Sequence, residues 1–348
     1  MRVIYSDKHH LHDPPLEYWE GEMLPFYESP RRAEMILRAV RAAELGPIDA
    51  PSDFGLDPIL AVHDADYVHF LQHVYPAWVA GGRNPKGVHP DTFAMRGMVR
   101  RPRDLALQAG YYSHDVTTVI TAGTWQAAYD AAQSALTAAH WVAKGEPAAF
   151  AVCRPPGHHA HSDLSAGYCF LNNAAIAAHW LTEHAVAGRA NTVALLDIDF
   201  HHGNGSQQIF YTRRDVFYVS LHADPERHYP YFLGGAEERG SGEGYGYNLN
   251  VPLPAGVTDD AYLAALDQAC IAIERYDPVW VVVSLGVDTF VGDPIGDFAL
   301  TRRAYPRIGA RIAQLNRPTV FIMEGGYAID CLGENVACVL TGFLARTI

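Results

Sequence analysis

The stretch Val193-Ala-Leu-Leu-Asp-Ile-Asp-Phe-His-His-Gly-Asn-Gly205 decides how this chain is read. It opens as an aliphatic run of the kind carried by a fully buried parallel strand. Asp197, Asp199 and His201 then occupy alternate positions. Side chains at i, i+2 and i+4 of a strand project to one side. Three ligand-type groups are therefore expected together at the carboxyl edge of a sheet, where open α/β folds keep their sites. Carboxylates at the end of an apolar strand are unfavourable unless something positive lies between them. A metal cation meets that need. The ordinary alternative, one Asp capping a helix and one in a salt bridge, accounts for less of the pattern once His202 is included.

Outward from this stretch the chain alternates strands and helices. Strands are expected at 148–153, 216–222, 279–285 and 319–323, with a first strand at 2–6. Helices are expected over 125–142, 172–187, 258–276, 303–315 and 332–343, and earlier over 65–78. Ser29-Pro30 supplies an N-cap and a first-turn proline for a helix through Val40, in which Arg32 reads as a solvated charge. Residues 7–29 read as an irregular, Ω-type loop, acidic through Glu17, Glu20, Glu22 and Glu28. Residues 79–119 read as an insertion that shapes a channel rim or a subunit contact, and a glycine-rich loop spans 234–246. Alternating strands and helices imply an α/β fold with a central, mainly parallel sheet covered on both faces. No boundary divides the chain, so residues 1–348 are expected to form a single domain.

Polar clusters follow the other strands. Arg154-Pro-Pro-Gly-His-His159 sets two imidazoles on a stiff turn, the side chain suited to acid–base work near neutral pH. Gly286-Val-Asp288 places a carboxylate that can complete a metal site with Asp199 and His201, leaving positions open for water and substrate. Glu324-Gly-Gly-Tyr327 brings backbone close to a ligand and offers a hydroxyl to a developing oxyanion.

These four clusters, in this order and each at a strand end, resemble the histone deacetylase/acetylpolyamine amidohydrolase superfamily. Gly123-Thr-Trp125, Gly167-Tyr-Cys-Phe-Leu-Asn-Asn173 and the start, Met1 to His10, extend the likeness over essentially the full length, nearest to the bacterial acetylpolyamine amidohydrolases. The resemblance implies the arginase/deacetylase fold and Zn²⁺ held by Asp199, His201 and Asp288, although two carboxylates and one imidazole also suit Fe²⁺ or Co²⁺. It implies that His158 and His159 flank the water that the metal activates, with Asp197 oriented on His158 and Asn204 on His159. One ring facing an anion and the other a neutral amide should differ in basicity, making His159 the acid/base and His158 its electrostatic partner. Tyr327 would bond the amide carbonyl. A monovalent cation, K⁺ or Na⁺, would use Asp197, the Ser220 hydroxyl and backbone oxygens of Asp199, His201 and Leu221. A second would use backbone near Phe210, Arg213, Val216 and Tyr247. Channel walls would come from Gly167, Tyr168, Tyr229 and Ile295, with Glu17 at the mouth. Carboxylates that select a cationic acetylpolyamine are missing at Ala106 and Thr117, with Asp104 and Asp115 nearby. The resemblance also implies a homodimer.

Composition narrows the function classes. A formal net charge of −13 argues against nucleic-acid binding through a basic surface. Five scattered cysteines without paired spacing read as reduced, and no run reaches transmembrane length, so a cytoplasmic protein is expected. The manganese ureohydrolases of the same fold are disfavoured because the central strand reads Asp-x-Asp-x-His and Asp288 has no acidic residue two positions on. A non-catalytic acetylamine-binding module is disfavoured because His158, His159, Asp199, His201, Asp288 and Tyr327 are all present. The activity expected is hydrolysis of acetylated polyamines such as acetylputrescine, acetylcadaverine and acetylspermidine, the alternative being a broader or acetyl-lysine deacetylase.

Overall fold

The computed structural model describes residues 1–19, 21–184 and 191–345. Glu20 and residues 185–187 of the expected helix 172–187 lie outside the described residues. Along the chain come β1 (Arg2–Ile4), β2 (Leu16–Trp19), β3 (Glu22–Pro25), α1 (Arg31–Ala42), β4 (Ile48–Asp49), α2 (Asp57–Leu60) and α3 (Ala65–Ala80). Then follow α4 (Thr124–Ala143), β5 (Ala148–Ala151), α5 (Asn173–Thr182), β6 (Val193–Asp197), α6 (Asn204–Phe210), β7 (Val216–Ala223) and β8 (Asn248–Leu253). The last are α7 (Asp259–Tyr276), β9 (Trp280–Leu285), α8 (Ala304–Ala313), β10 (Thr319–Met323) and α9 (Ile329–Leu344).

Eight of the strands form one sheet in the order β4-β1-β5-β10-β9-β6-β7-β8. Every pairing in it is parallel. The pleat divides the central strands β5, β10, β9, β6 and β7 between the two largest apolar clusters. Val193 and Leu195 of β6, with Trp280 and Val282 of β9, pack on the side of α3, α4 and α5. Ala194 and Leu196, with Val281 and Val283, pack on the side of α1, α7, α8 and α9. Both faces are covered, which is why these strands read as continuous aliphatic runs rather than alternating ones.

The chain order places the site. After β5 the chain crosses to β6, builds outward through β7 and β8, and returns to fill the gap with β9 and β10. The strands followed by the four polar clusters, β5, β10, β9 and β6, therefore stand side by side at the centre of the sheet.

Several local expectations are corrected. Residues 7–29 are not one irregular loop: β2 and β3 pair as an antiparallel hairpin within them. Its burial is inverted, with Glu17 buried and Leu16 and Tyr18 exposed, so the usual strand pattern was absent. Helix α1 starts at Arg31, and the Ser29 side chain makes no cap bond. Arg32 is buried, against the solvated reading, because Glu28 one turn earlier neutralises it at 2.7 Å. The edge strands β4 and β8 went unseen; β8 contains Pro252, which only an outer strand accommodates.

Candidate active site

Alternation persists past the last ladder bond of β6. Ile198 and Phe200 continue into the apolar cluster. Asp199 and His201 take the opposite side. Asp288, just beyond β9, joins them, and ligand atoms of these three lie within 4.8 Å of one another. His201 Nδ1 is 3.1 Å from Asp288 Oδ2 and 3.4 Å from Asp199 Oδ1. The remaining oxygens are fixed by backbone: Asp199 Oδ2 accepts from Gly325 N at 2.7 Å and Asp288 Oδ1 from Phe200 N at 2.9 Å. Among the described residues neither carboxylate pairs with Lys or Arg. Two buried carboxylates and one imidazole, aimed at a common point and with no Lys or Arg to neutralise them, are a donor set that fits a divalent metal.

The His-His turn after β5 stands beside this group. His158 Nδ1 meets Asp197 Oδ2 at 3.1 Å, and His159 Nδ1 meets Asn204 Oδ1 at 2.7 Å. Burial disfavours charge on both rings, but the partners separate them. For His158, Asp199 and Asp197 outweigh burial and push the pKa up to about 10. For His159, burial and then the positive charges of His158 and His201 hold it well below the ordinary value. Glu324 holds the turn itself: its Oε2 accepts from Gly157 N and His158 N, and its Oε1 from the Ser284 hydroxyl.

A narrow cavity of about 80 Å³ opens onto His159, His201 and Tyr327. Its walls include Gly167, Tyr168, Tyr229 and Ile295 from the sequence reading, and also Trp19, Asp115 and Thr117. Gly167 is a place where only glycine fits, since a Cβ would lie 2.2 Å from the His159 ring. Asp115 ties the walls together, its Oδ2 accepting from Gly167 N and the Tyr229 hydroxyl, both at 2.7 Å.

Glu17 does not line the cavity. It is fully buried, its Oε1 accepting from Tyr27 N at 3.0 Å, and burial, reinforced by Glu28 and Asp115, raises its pKa to about 7. Of the other rim positions, Ala106 is buried away from the cavity and Asp104 accepts from Ala106 N in its own turn. Asp115 and Thr117 do reach it.

The residues expected to hold monovalent cations fall in two places. Asp197 pairs in register with Ser220, and Leu221 follows. His222 Nε2 must donate to Gly234 O (2.9 Å), so its Nδ1 accepts from the Ser220 hydroxyl (2.8 Å) and the serine oxygen keeps its lone pairs free. Phe210, Arg213 and Val216 lie on the turn between α6 and β7, where Arg213 N donates to Phe210 O. Tyr247 reaches the same strand through Tyr218 N→Tyr247 O.

Sequence reasoning missed the supports beneath Tyr327. Asp293 Oδ2 accepts from Tyr327 N at 2.7 Å and Ala328 N at 3.0 Å. Arg32 lies over the Tyr327 ring, 4.8 Å from its centroid, and donates to Gly326 O and Glu324 O. Arg154 shares Glu28 with Arg32. The Gly292-Asp-Pro turn was a signal for Asp293. Glu28, one turn before Arg32, was the one local signal for the buried arginines; Arg154 and the carbonyls that Arg32 bonds are distant from their partners in sequence.

A model of the histone deacetylase domain matches residues 26–343. The chain belongs to the histone deacetylase family. It is a hydrolytic deacetylase, as its relatives' names indicate. An acetylpolyamine amidohydrolase of Pseudomonas aeruginosa is 49% identical over 346 residues, 99% of each chain. One from Mycoplana ramosa is 44% identical over 342 residues, 98% of this chain and 99% of the other. The crystal structure of an acetylpolyamine aminohydrolase from Burkholderia pseudomallei superposes with a TM-score of 0.93 at 41% identity, covering 99% of both chains. No helix of the described residues is long and apolar enough to cross a membrane.

Proposed function

We propose that this deacetylase family member hydrolyses the acetyl amide of small acetylated polyamines, releasing acetate and the free amine. The observation that carries the substrate class is the cavity: a slot walled by Trp19, Tyr168, Tyr229 and Ile295, reaching His159 and Tyr327, with Asp115 in its wall. Such a slot fits a linear acylated amine, and the carboxylate favours one with a second, positive nitrogen. The names of the Pseudomonas, Mycoplana and Burkholderia relatives support the same class.

Asp199, His201 and Asp288 would hold the metal, with Zn²⁺ the ion we assign and Fe²⁺ or Co²⁺ chemically compatible. When bound, it supplies Lewis acidity, polarising the amide carbonyl and lowering the pKa of water towards ~7. His159, kept neutral by burial, takes a proton from the attacking water and returns it to the leaving nitrogen. His158, held by Asp197, keeps positive charge beside the carbonyl carbon under attack. Tyr327 donates its hydroxyl to the oxygen on which negative charge develops. The aromatic walls exclude bulk water, which strengthens each of these interactions.

Asp197, the Ser220 hydroxyl and Leu221 backbone suit a monovalent cation, and Phe210, Arg213, Val216 and Tyr247 a second. A homodimer is supported by exposed apolar residues on the 79–119 insertion, where Met95, Met98 and Val99 are 60%, 65% and 81% exposed. An acetyl-lysine substrate is the second reading, favoured by the burial of Glu17, which leaves fewer carboxylates facing the cavity.

The test is kcat/KM on zinc-loaded protein for N-acetylputrescine, its uncharged analogue N-butylacetamide, and an acetyl-lysine peptide. The cationic amine should be preferred over the neutral one by at least about tenfold, about 1.4 kcal/mol. Equal or better cleavage of the peptide would replace the polyamine assignment.

A further inference from the structure

Asn204 holds two histidines at once. Its Oδ1 lies 2.7 Å from His159 Nδ1, and its Nδ2 lies 3.0 Å from His161 Nε2. All three side chains are buried. An amide oxygen only accepts and an amide nitrogen only donates, so the two ring nitrogens cannot choose their protons independently. With Oδ1 towards His159, that ring carries its proton on Nδ1 and keeps a lone pair on Nε2, while His161 Nε2 is bare. With the amide turned over, His161 Nε2 carries a proton, and His159 is left with a bare Nδ1 and a protonated Nε2. Only the first arrangement leaves His159 able to accept a proton at the nitrogen not engaged by Asn204. His158 faces no such choice, because either oxygen of Asp197 accepts.

We infer that His161 is a positioning residue: by presenting a bare Nε2 to Asn204 it fixes the amide's orientation, and through it the tautomer in which His159 Nε2 is the base. The inference rests on the assignment of His159 as the base. His161 is well placed for the task. Its backbone N donates to Leu164 O at 2.9 Å, and its ring lies nearly parallel to His114, 22° apart with centroids 6.3 Å away. Burial, with the neighbouring His114 and His63, lowers its pKa to about 4, so the ring is neutral and able to accept. Asn204 is anchored as well, at the start of α6, with its N donating to His202 O at 2.8 Å. The orientation of the amide and the tautomer of His161 are thus set together, and a bare His161 Nε2 selects the orientation that serves His159.

A cycle of variants tests this. His161→Phe keeps a ring without an acceptor, His161→Glu supplies, when ionised above about pH 8, an acceptor that cannot donate, and Asn204→Asp makes the partner of His159 symmetric. In zinc-loaded protein His161→Phe should lower kcat about tenfold with KM within twofold, and His161→Glu should recover most of the loss. In the Asn204→Asp background the same His161→Phe change should cost less than about twofold, because a carboxylate has no wrong way round. ¹⁵N NMR of the imidazoles should show His159 bare at Nε2 in the parent and a mixture of tautomers in His161→Phe. An equal loss in both backgrounds, or an unchanged His159 tautomer in His161→Phe, would overturn the inference. If the parent cleaves none of the amides, the proposed substrate class fails, while the imidazole spectra still report on His161.

Discussion

His158 and His159 are chain neighbours with identical side chains, yet Asp197 and Asn204 give them opposite electrostatics. The same rule, that surroundings decide what a group offers, applies to Glu17. Its acidity is set by burial, which lifts the pKa from 4.5 to about 7. Below pH 4.5 the group is protonated whether the chain is folded or not, and the site has no effect on stability. As the pH rises the unfolded chain ionises first, so stability falls until the folded form ionises too, near pH 7. Glu17→Gln keeps an acceptor for Tyr27 N and removes the charge. It should therefore stabilise the protein by up to about 3 kcal/mol at pH 8 and by almost nothing at pH 4.5. Urea unfolding at the two pH values measures this, and an equal effect at both would mean that Glu17 ionises without penalty.

At the scale of elements, close helix crossings hold the layer beneath the site. Helices α8 and α9 meet so closely at Gly309 that a Cβ there would lie 1.9 Å from Val339 O. At Gly333, where α9 crosses α1, a Cβ would lie 2.2 Å from Met35 O. Alanine in a helix interior is intrinsically better than glycine by about 1 kcal/mol. A clash with backbone forces the helices apart, which costs typically 1–3 kcal/mol and adds lost packing. The clash should win, so Gly309→Ala is expected to destabilise by about 2 kcal/mol in denaturant titration. A stabilised variant would show that the crossing is looser than its geometry. The hairpin of β2 and β3 teaches a related lesson: its exposed Leu16 and Tyr18 and buried Glu17 make sense only once Trp19 is seen in the cavity wall.

Across the whole molecule, the parallel sheet brings acidic groups from distant parts of the chain to one buried point. Asp197, Asp199, Asp288 and Glu324 come from three strand ends, with two protonatable histidines among them. A metal that binds only the folded arrangement stabilises it by about 2.7 kcal/mol when present at a hundred times its dissociation constant. Chelation should therefore lower the melting temperature by several degrees as well as abolish turnover, and Zn²⁺ should restore both. Loss of activity with an unchanged melting curve would place the metal elsewhere than between Asp199, His201 and Asp288. Behind the site, Glu28 between Arg32 and Arg154 joins the N-terminal segment to the turns after β5 and β10.

The amino-acid sequence by itself determined the fold class and the chemical core of the site. Buried parallel strands are written as aliphatic runs, and ligands at alternate positions stay on one side whatever the rest of the chain does. That is why the strand at 319–323 and the grouping of Asp199, His201 and Asp288 were legible before any coordinates. What only the tertiary structure decided depends on partners far apart in the chain. It left Glu17 behind the wall and Asp115 in it, buried Arg32 and Arg154 around Glu28, and set Asp293 beneath Tyr327. It also brought His161 to the free end of Asn204, forty-three positions away. A carboxylate or an imidazole looks the same in sequence whether it meets solvent or another side chain, and only packing assigns its neighbour.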